Sequence, residues 1–452
     1  MFENQKIFIL GFARSGYNAA KLLSKRHNEV TLCDMKEEEK QNKEQVEELR
    51  ELGVNLILGT NDITYLDNTY HYFIKNPGVP LDNPLVVKAE KLGIPVINEV
   101  EMSYLLFPKN VNLIGITGTN GKTTTTTLTY EIVKRAYPDI THLAGNIGFA
   151  LSSVIDEIKE GDILVMEVSC QQLANLDKFH PHIAVMTNLT PAHIDMFGSY
   201  KAYKKVKGKL FKEQTEDDIA ILNIENQDVL EETKNICSVT KYFSSKHEIN
   251  GCYLKDDTIY YYDEPIIKRD ELLIVGLHNV ENVMASIMIA KELGIDNNLI
   301  ADVIKNFKGV EHRLEFVDEI NGVKYYNDTE ATNIKSTQIA LSSFDKPVIL
   351  FLGGLERGQN FDELSKYMAH VKLILAIGES RDRVLDFGNK LGIKTLVFEH
   401  LSDAFEALPD YEESGDIVLL SPASASWDQY KQCEDRGEEF KERIEELKNE
   451  DK

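Results

Sequence analysis

A short segment rich in glycine and threonine, Gly118-Thr-Asn-Gly-Lys-Thr-Thr124, carries the residue types that bind a phosphate chain. An apolar run at 111–116 precedes it and helix-forming residues follow it, so the segment turns a strand into a helix. In that setting, backbone N–H groups and the helix N-terminus face an anion, while Lys122 reaches the terminal phosphates and the Thr123 hydroxyl can bind Mg²⁺. The alternative is a plain glycine turn, because Ile116 stands where a standard G-x-x-x-x-G-K-T loop has glycine. We predict a nucleotide site at Gly118, Thr119, Asn120, Gly121, Lys122, Thr123 and Thr124.

Two more side chains of the same region follow apolar, strand-like runs. Glu167 ends the run at 163–166, which is where a carboxylate ligand for Mg²⁺ belongs in a phosphate-binding domain. His193 comes after the run at 183–186, although a single histidine is more often structural than a metal ligand. Residues 201–212 hold the densest group of lysines, which is a solvated helix face unless one lysine points inward to bound phosphate.

The first residues of the chain have the pattern of a strand, helix and strand. Gly11 and Gly16 flank the first turn, and the second strand ends at Asp34, as in a dinucleotide site. However, Ala13 replaces the middle glycine of G-x-G-x-x-G, so a nicotinamide-dependent oxidoreductase is a weak alternative. Asn76-Pro-Gly78 follows a later strand-like run and predicts a turn beside the first one.

Length and composition bound the class of protein. With 452 residues the chain is too long for one ordinary core, and its net charge of −24 argues against nucleic acids and acidic membranes as partners. Five scattered cysteines indicate reduced thiols, and the apolar runs are too short to span a bilayer. We expect no secretory leader and a cytoplasmic location.

Strand-like runs that alternate with helical segments predict an α/β protein of three domains. We expect a Rossmann-like domain at 1–108, a central parallel-sheet ATPase-like domain at 109–311 and a second Rossmann-like domain at 312–452. The region 242–274 has the pattern of a β-hairpin, and 437–452 that of a solvated helix without a site.

Together these motifs make the chain similar to the Mur ligases over its whole length. The resemblance rests on the Thr117–Thr124 segment, on Met166-Glu-Val-Ser169, on His193-Ile-Asp195, on Asn327-Asp328 and on Ser421-Pro-Ala-Ser-Ala-Ser426-Trp-Asp-Gln. It implies a UDP-binding first domain, an ATP-binding central domain and an amino-acid-binding third domain.

Within that family, the Rossmann-like Gly11–Gly16 turn with Asn76-Pro-Gly78 resembles the D-glutamate-adding members. The same holds for Met166-Glu-Val-Ser169, for Asn188 with His193-Ile-Asp195, for Asn327-Asp328 and for the segment at 421–429. The implied reaction joins D-glutamate to UDP-N-acetylmuramoyl-L-alanine through an acyl phosphate made from ATP, in peptidoglycan precursor synthesis. The implied enzyme takes small-molecule substrates and is expected to be a monomer.

The resemblance also assigns site residues by position. Catalytic roles fall to Lys122, His193 and Lys207, and two Mg²⁺ sites to Thr123, Glu167, His193 and Lys207, with Lys207 in the position of a carbamylated lysine. Lys205 and Lys209 are too close to Lys207 for the sequence to exclude them. Further ATP contacts are Asn279, Asn282, Arg313 and Asp328; UDP-sugar contacts are Ser15, Gly16, Asp34, Gly78, Asn146 and Ser169; amino-acid contacts are Thr332, Arg357 and Ser426.

Some positions depart from the family pattern, chiefly in the amino-acid site. Glu330 stands where a lysine is common, Arg357 where another lysine often stands, and Cys433 where an aromatic residue is common. The rival interpretations are another amide ligase of this superfamily with a different amino acid, and a non-catalytic nucleotide sensor of the same fold. A folylpolyglutamate synthetase fits poorly, because it lacks the first domain.

Overall fold

The structure, a computed structural model, describes residues 2–450. The predicted outer ends of the first and third domains, Met1 and residues 451–452, lie outside the described residues. The chain forms two compact units. The first runs to Ile266 and includes Glu281–Ala301; the second contains Ile267–Val280 and the chain from Asp302.

The first sheet is fully parallel, in the order β3-β2-β1-β4-β5. Apolar side chains on both faces explain this, because helices cover both sides of such a sheet. Its strands are β1 (Lys6–Leu10), β2 (Glu29–Asp34), β3 (Asn55–Leu58), β4 (Tyr72–Lys75) and β5 (Val96–Asn98). Its helices are α1 (Arg14–Lys25), α2 (Lys43–Glu51), α3 (Pro84–Lys91) and α4 (Glu99–Tyr104).

The central sheet has nine strands in the order β14-β13-β12-β11-β10-β9-β6-β8-β7. Its strands are β6 (Asn112–Thr117), β7 (Thr141–Gly145), β8 (Ile163–Glu167), β9 (Ile183–Met186), β10 (Ile219–Asn223), β11 (Val239–Ser244), β12 (Cys252–Lys255), β13 (Thr258–Tyr261) and β14 (Glu264–Lys268). The pairs among β6 to β11 are parallel, whereas β12 and β13 form an antiparallel hairpin inside the predicted hairpin region.

The helices along this part of the chain differ greatly in length. They are α5 (Lys122–Ala136), α6 (Leu151–Val154), α7 (Cys170–Leu173), α8 (Ile194–Phe197), α9 (Tyr200–Gly208), α10 (Gln227–Thr233), α11 (Leu277–Glu292) and α12 (Asn297–Asn306). Segments of 3₁₀ helix lie at Glu38–Lys40, Ile63–Tyr65, Lys209–Phe211, Arg269–Glu271, Phe361–His370 and Leu408–Asp410.

Within the first unit, α4 fastens the first sheet to the central one. Its buried Glu99 accepts a hydrogen bond from the backbone N–H of Ser152. Glu101, also buried, accepts from the N–H groups of Asp177 and Lys178. Buried carboxylates that accept backbone N–H groups fix geometry, so these two acids set how the two sheets meet.

The sheet of the second unit has the order β15-β16-β20-β17-β18-β19. Its strands are β15 (Glu315–Ile320), β16 (Val323–Asn327), β17 (Val348–Gly353), β18 (Val371–Ile377), β19 (Lys394–Val397) and β20 (Ile417–Leu420), with helices α13 (Ile334–Leu341), α14 (Arg381–Leu391), α15 (Leu401–Ala407) and α16 (Cys433–Glu450). Only the edge pair β15–β16 is antiparallel. The predicted α/β fold class is confirmed, with antiparallel edges on two sheets.

The C-terminal helix differs from its prediction. It begins at Cys433, and Phe440 and Ile444 are fully buried against β17 and α15 side chains. Its dense charges masked these two apolar residues, which are four positions apart and therefore share one face. The prediction of a wholly solvated helix was wrong for that face.

Among residues 2–450, no helix combines the length and the apolar character needed to cross a bilayer. The five cysteines, all within this range, are free thiols.

Candidate functional site

The glycine-rich segment forms a tight loop between β6 and α5. Gly118 and Gly121 have φ of 152° and 81°, a region that strongly favours glycine. A Cβ on Gly118 would lie 2.0 Å from Thr187 Oγ1, and one on Gly121 would lie 2.2 Å from Asn282 Oδ1. Lys122, the first residue of α5, donates from Nζ to the carbonyl of Thr119 at 2.8 Å. Thr123 and Thr124 follow in the first turn of the helix, so the loop has the geometry of a phosphate cradle.

The segment after β9 anchors this loop. Asn188 Oδ1 accepts from the Asn120 N–H at 2.9 Å, and its Nδ2 donates to the Asn120 carbonyl at 3.1 Å. The Asn188 carbonyl accepts from the Thr119 N–H at 2.8 Å. No role for Asn188 follows from the sequence, because a single asparagine after a strand carries no specific signal.

We expect Asn188→Ala to weaken ADP binding about tenfold, because the substitution removes the side-chain acceptor of the Asn120 N–H and one of the two side-chain donors to the Asn120 carbonyl, the other being Thr187 Oγ1. Isothermal titration with Mg²⁺·ADP measures the change in Kd. Asn42→Ala is the matched control. Asn42 also accepts a backbone hydrogen bond, from the Gln45 N–H at the start of α2, but it lies outside the loop. The control should lose about 1 kcal/mol of unfolding free energy and keep its ADP affinity. An Asn188→Ala Kd within twofold of wild type would show that the loop holds its shape alone.

Glu167 lies at the end of β8, directly beside the loop strand. It is paired with Ile116 in the β6–β8 register, and only 1% of its surface is exposed. Asn146 Nδ2 donates to its Oε1 at 2.7 Å, whereas its Oε2 is buried and has no hydrogen-bond partner among the described residues. A buried carboxylate oxygen without a partner is unfavourable unless a cation binds there. The residues present therefore fit a hard divalent cation such as Mg²⁺.

Lys207 is the lysine of α9 that reaches the loop. Its Nζ donates to Thr117 Oγ1 at 3.0 Å and to the Gly118 carbonyl at 2.7 Å, and the residue is 1% exposed. Burial, and secondarily the nearby Lys122 ammonium, lower the pKa of Lys207 to about 7. Lys205 is exposed, and Lys209 Nζ donates to the Ala174 carbonyl instead. Of the three lysines that the sequence could not tell apart, Lys207 is therefore the one whose side chain contacts the loop.

His193 stands at the rim of the same region. It is exposed, has a φ of 50° and precedes α8. Its ring centroid lies 6.0 Å from that of Tyr203, whose hydroxyl lies 3.0 Å from Thr119 Oγ1. Lys207 Nζ also lies 5.7 Å from the centre of the Tyr203 ring. The loop, Glu167, Lys207 and His193 therefore gather around the carboxyl ends of β6, β8 and β9.

The two predicted asparagines of α11 have different surroundings. Asn282 is buried in the first unit, where its Oδ1 accepts from Thr125 Oγ1 at 3.3 Å next to Gly121. Asn279 belongs to the second unit and donates to the Val275 carbonyl at 2.8 Å.

A cleft of about 210 Å³ opens at the carboxyl end of the first sheet. It is lined by Ala13, Arg14, Ser15, Asn76, Pro77, Asn146 and Gln172. Two predicted sugar-nucleotide residues, Ser15 and Asn146, line it directly, and Gly78 lies in the turn after Pro77, where its N–H donates to Asn76 Oδ1.

The other predicted sugar-nucleotide residues have structural contacts. Asp34 accepts from the Phe12 N–H at 2.6 Å, and Ser169 caps α7 through the Gln172 N–H at 3.3 Å. Gly16 is buried in α1, where a Cβ would lie 1.8 Å from the Gly11 carbonyl oxygen. Helix-to-strand packing thus accounts for glycine at position 16, and the ligand roles of these three residues stay predictions.

Polar residues of the second unit also follow strand ends. Asp328, after β16, accepts from the Leu314 N–H at 3.1 Å and from Ser421 Oγ at 2.7 Å. Burial raises the pKa of Asp328 to about 7. Arg313 forms an ion pair with Glu330 at 3.1 Å. Glu330 is the residue that stands where a lysine is common in the family.

The predicted amino-acid contacts lie in the same unit but differ in exposure. Thr332 is exposed, and the exposed Arg357 stacks its guanidinium over the Trp427 ring at 4.6 Å. Ser426 is fully buried, and its hydroxyl has no hydrogen-bond partner among the described residues.

Family models match most of the chain. Residues 5–98 match the Mur ligase MurD-like N-terminal domain, 116–290 the Mur ligase middle domain, and 312–424 the Mur ligase glutamate ligase domain. These matches follow the three sheets in order.

Curated relatives match along the full length. The UDP-N-acetylmuramoylalanine–D-glutamate ligase of Lactococcus lactis subsp. lactis (strain IL1403) is 44% identical over 452 residues, covering 99% of this chain and 98% of the relative. The ligase of the same name from Staphylococcus aureus (strain MW2) is 40% identical over 443 residues, covering 98% and 97%.

Solved structures share the fold at low identity. MurF ligase from Thermotoga maritima in complex with ADP aligns with a TM-score of 0.57 at 17% identity, covering 98% of this chain and 99% of that one. UDP-N-acetylmuramate-alanine ligase MurC from Thermotoga maritima aligns with a TM-score of 0.56 at 19% identity, covering 98% and 100%. With family models over most of its length and full-length relatives at 40% and 44% identity, this chain belongs to the Mur ligase family.

Proposed function

We propose that this chain uses ATP to join D-glutamate to UDP-N-acetylmuramoyl-L-alanine. Its full-length relatives are named UDP-N-acetylmuramoylalanine–D-glutamate ligases. The reaction serves peptidoglycan precursor synthesis. A cytoplasmic location and a monomeric state stay predictions.

The chemistry requires an activated acid, because a carboxylate is a poor electrophile. A carboxylate oxygen of the nucleotide-linked alanine attacks the γ-phosphorus of ATP, and ADP leaves. The amine of D-glutamate then attacks the carbonyl carbon of the acyl phosphate and loses a proton. Phosphate leaves with the oxygen that came from the substrate, and an amide remains.

The single observation that carries this proposal is the placement of Glu167 beside the phosphate loop. Its buried Oε2 has no hydrogen-bond partner in the part of the chain that the structure describes, and Glu167 pairs with the strand that leads into the loop. Phosphoryl transfer depends mainly on positioning and charge neutralisation, so a cation site against a phosphate cradle is the essential device. When bound there, Mg²⁺ would neutralise charge on the phosphate chain.

The residues of the central site have different proposed roles. Lys122 and the loop N–H groups bind the phosphates, and Lys122 stabilises the negative charge that develops during transfer. Thr123 and Glu167 would hold one Mg²⁺, and His193 and Lys207 a second. As a carbamate, Lys207 would bear an anionic oxygen suited to Mg²⁺, although its ammonium form donates to Thr117 and Gly118.

The remaining contacts divide between the substrates. Ser15, Gly16, Asp34, Gly78, Asn146 and Ser169 would bind the nucleotide sugar, and Asn279, Asn282, Arg313 and Asp328 would complete the ATP site. Thr332, Arg357 and Ser426 would bind D-glutamate. Arg357 suits this role because a guanidinium can hold a carboxylate with two hydrogen bonds.

The test is a phosphate-release assay with four amino acids, D-glutamate, L-alanine, L-lysine and meso-diaminopimelate, against each nucleotide-sugar acceptor. We expect release only when D-glutamate and UDP-N-acetylmuramoyl-L-alanine are both present. Release with a different pair would assign another amide ligation. Release without any amino acid or acceptor would indicate an ATPase or a nucleotide sensor instead.

A further inference from the structure

Asn146 lies between the cleft of the first sheet and Glu167 of the central site. Its exposed side chain lines the cleft of the first sheet, while its Nδ2 donates to Oε1 of the buried Glu167 at 2.7 Å. Its backbone N–H also donates to the Glu167 carbonyl at 2.9 Å. A single residue therefore bridges the cleft and the carboxylate beside the phosphate loop.

Backbone contacts hold the loop that carries Asn146 in place. Arg14, whose neighbours Ala13 and Ser15 line the cleft, donates to the carbonyls of Gly145, Asn146 and Gly148 at 3.2, 3.0 and 2.9 Å. The loop that carries Asn146 is thus tied to the first βα turn on one side and to β8 on the other. A ligand that orders the cleft would act on the same loop.

Among the described residues, hydrogen bonds reach one oxygen of the Glu167 carboxylate and not the other. Oε1 receives the Asn146 amide, and Oε2 has no partner among residues 2–450. The amide therefore sets the rotation of the carboxylate and directs the open oxygen, as outer hydrogen bonds do for metal ligands in general.

We propose that Asn146 is a positioning residue that couples the nucleotide-sugar cleft to the metal carboxylate. A nucleotide sugar that contacts the Asn146 amide fixes its orientation, and the fixed amide holds Glu167 ready for the divalent cation. Coupling of this kind is reciprocal: nucleotide sugar tightens metal binding by the factor by which metal tightens nucleotide sugar. This inference rests on the proposed function of both sites.

The direct test measures Mn²⁺ binding to the protein with ADP by electron paramagnetic resonance, with and without UDP-N-acetylmuramoyl-L-alanine. In wild type we expect the nucleotide sugar to tighten Mn²⁺ binding at least threefold. Asn146→Ala should weaken Mn²⁺ binding about tenfold in the absence of nucleotide sugar and bring the coupling factor to about one. Ser15→Ala is the matched control: it removes a cleft side chain without a contact to Glu167, so it should weaken nucleotide-sugar binding and keep the coupling factor.

A second variant tests the link from the other side. Glu167→Ala frees the Asn146 amide, so it should change the affinity for nucleotide sugar at least threefold without metal or ATP. If Asn146→Ala loses all affinity for the nucleotide sugar, its coupling factor has no value. In that case the proposed coupling is tested by two other measurements: the nucleotide-sugar affinity of Glu167→Ala and the Mn²⁺ affinity of Asn146→Ala without nucleotide sugar.

The possible outcomes separate the inference from the function on which it rests. Wild-type protein that fails to bind the nucleotide sugar would overturn the proposed function. Wild-type binding with an Asn146→Ala variant that keeps both its Mn²⁺ affinity and its coupling factor would overturn the inference alone.

Discussion

Replacing Lys122 with alanine is expected to lower kcat for ligation on the order of 10³-fold, equivalent to about 4 kcal/mol of transition-state stabilisation. Lys122 is the first residue of α5, and its Nζ lies 2.8 Å from the Thr119 carbonyl within the loop. Phosphoryl transfer moves charge onto the leaving ADP, and a cation at the loop is the group that neutralises it. Alanine leaves that charge to the backbone N–H groups and the proposed Mg²⁺.

Steady-state phosphate release with saturating substrates measures this loss. Lys201→Ala is the matched control, because Lys201 is an exposed lysine in the same part of the chain. The control should stay within twofold of wild type, and both variants should keep the wild-type unfolding temperature to within a few degrees. A Lys122→Ala enzyme that retains more than a tenth of wild-type kcat would contradict the role given to this lysine.

Lys207→Ala should cost a similar factor, on the order of 10³ in kcat, because it removes the proposed carbamate ligand and leaves its position empty. The wild-type amine is suited to carbamylation, since CO₂ adds only to a neutral amine and burial lowers the pKa of Lys207 to about 7. The geometry agrees: Nζ reaches Thr117 and Gly118 at the base of the loop.

A short carboxylate provides the decisive readout for this second variant. Formate or acetate can enter the space left by Lys207→Ala and restore an anionic oxygen, so we expect at least tenfold recovery of activity at high concentration. Lys205→Ala, at an exposed position of the same helix, should lose no more than twofold and show no response to the added acid. Loss of activity in Lys207→Ala without any rescue would favour a lysine that acts as an ammonium ion.

The sequence predicted the fold well where local patterns decide it. Strand-like runs that end in polar or glycine turns form the three β-sheets, which alternate with helices along the chain. The Gly118–Thr124 segment indicated the predicted phosphate loop. Because the carboxyl ends of parallel strands share one edge, Glu167 and His193 were also expected near that loop.

Other features depend on packing that no local pattern records. Three lysines of one segment look equivalent in the sequence, and only the rotation of α9 against β6 turns Lys207 inward. The hydrogen bond between Asn120 and Asn188 joins residues 68 positions apart, and the one between Asn146 and Glu167 joins residues 21 positions apart. Neither contact can be predicted from a local sequence pattern. In α16, abundant charge concealed the buried face formed by Phe440 and Ile444.

The central claim is that the site activates the substrate's own carboxylate by phosphorylation. The most direct measurement uses UDP-N-acetylmuramoyl-L-alanine labelled with ¹⁸O in its free carboxylate, and mass spectrometry of the released phosphate. An acyl phosphate intermediate predicts one ¹⁸O atom in each phosphate formed. Unlabelled phosphate, released together with the D-glutamate product, would contradict the account.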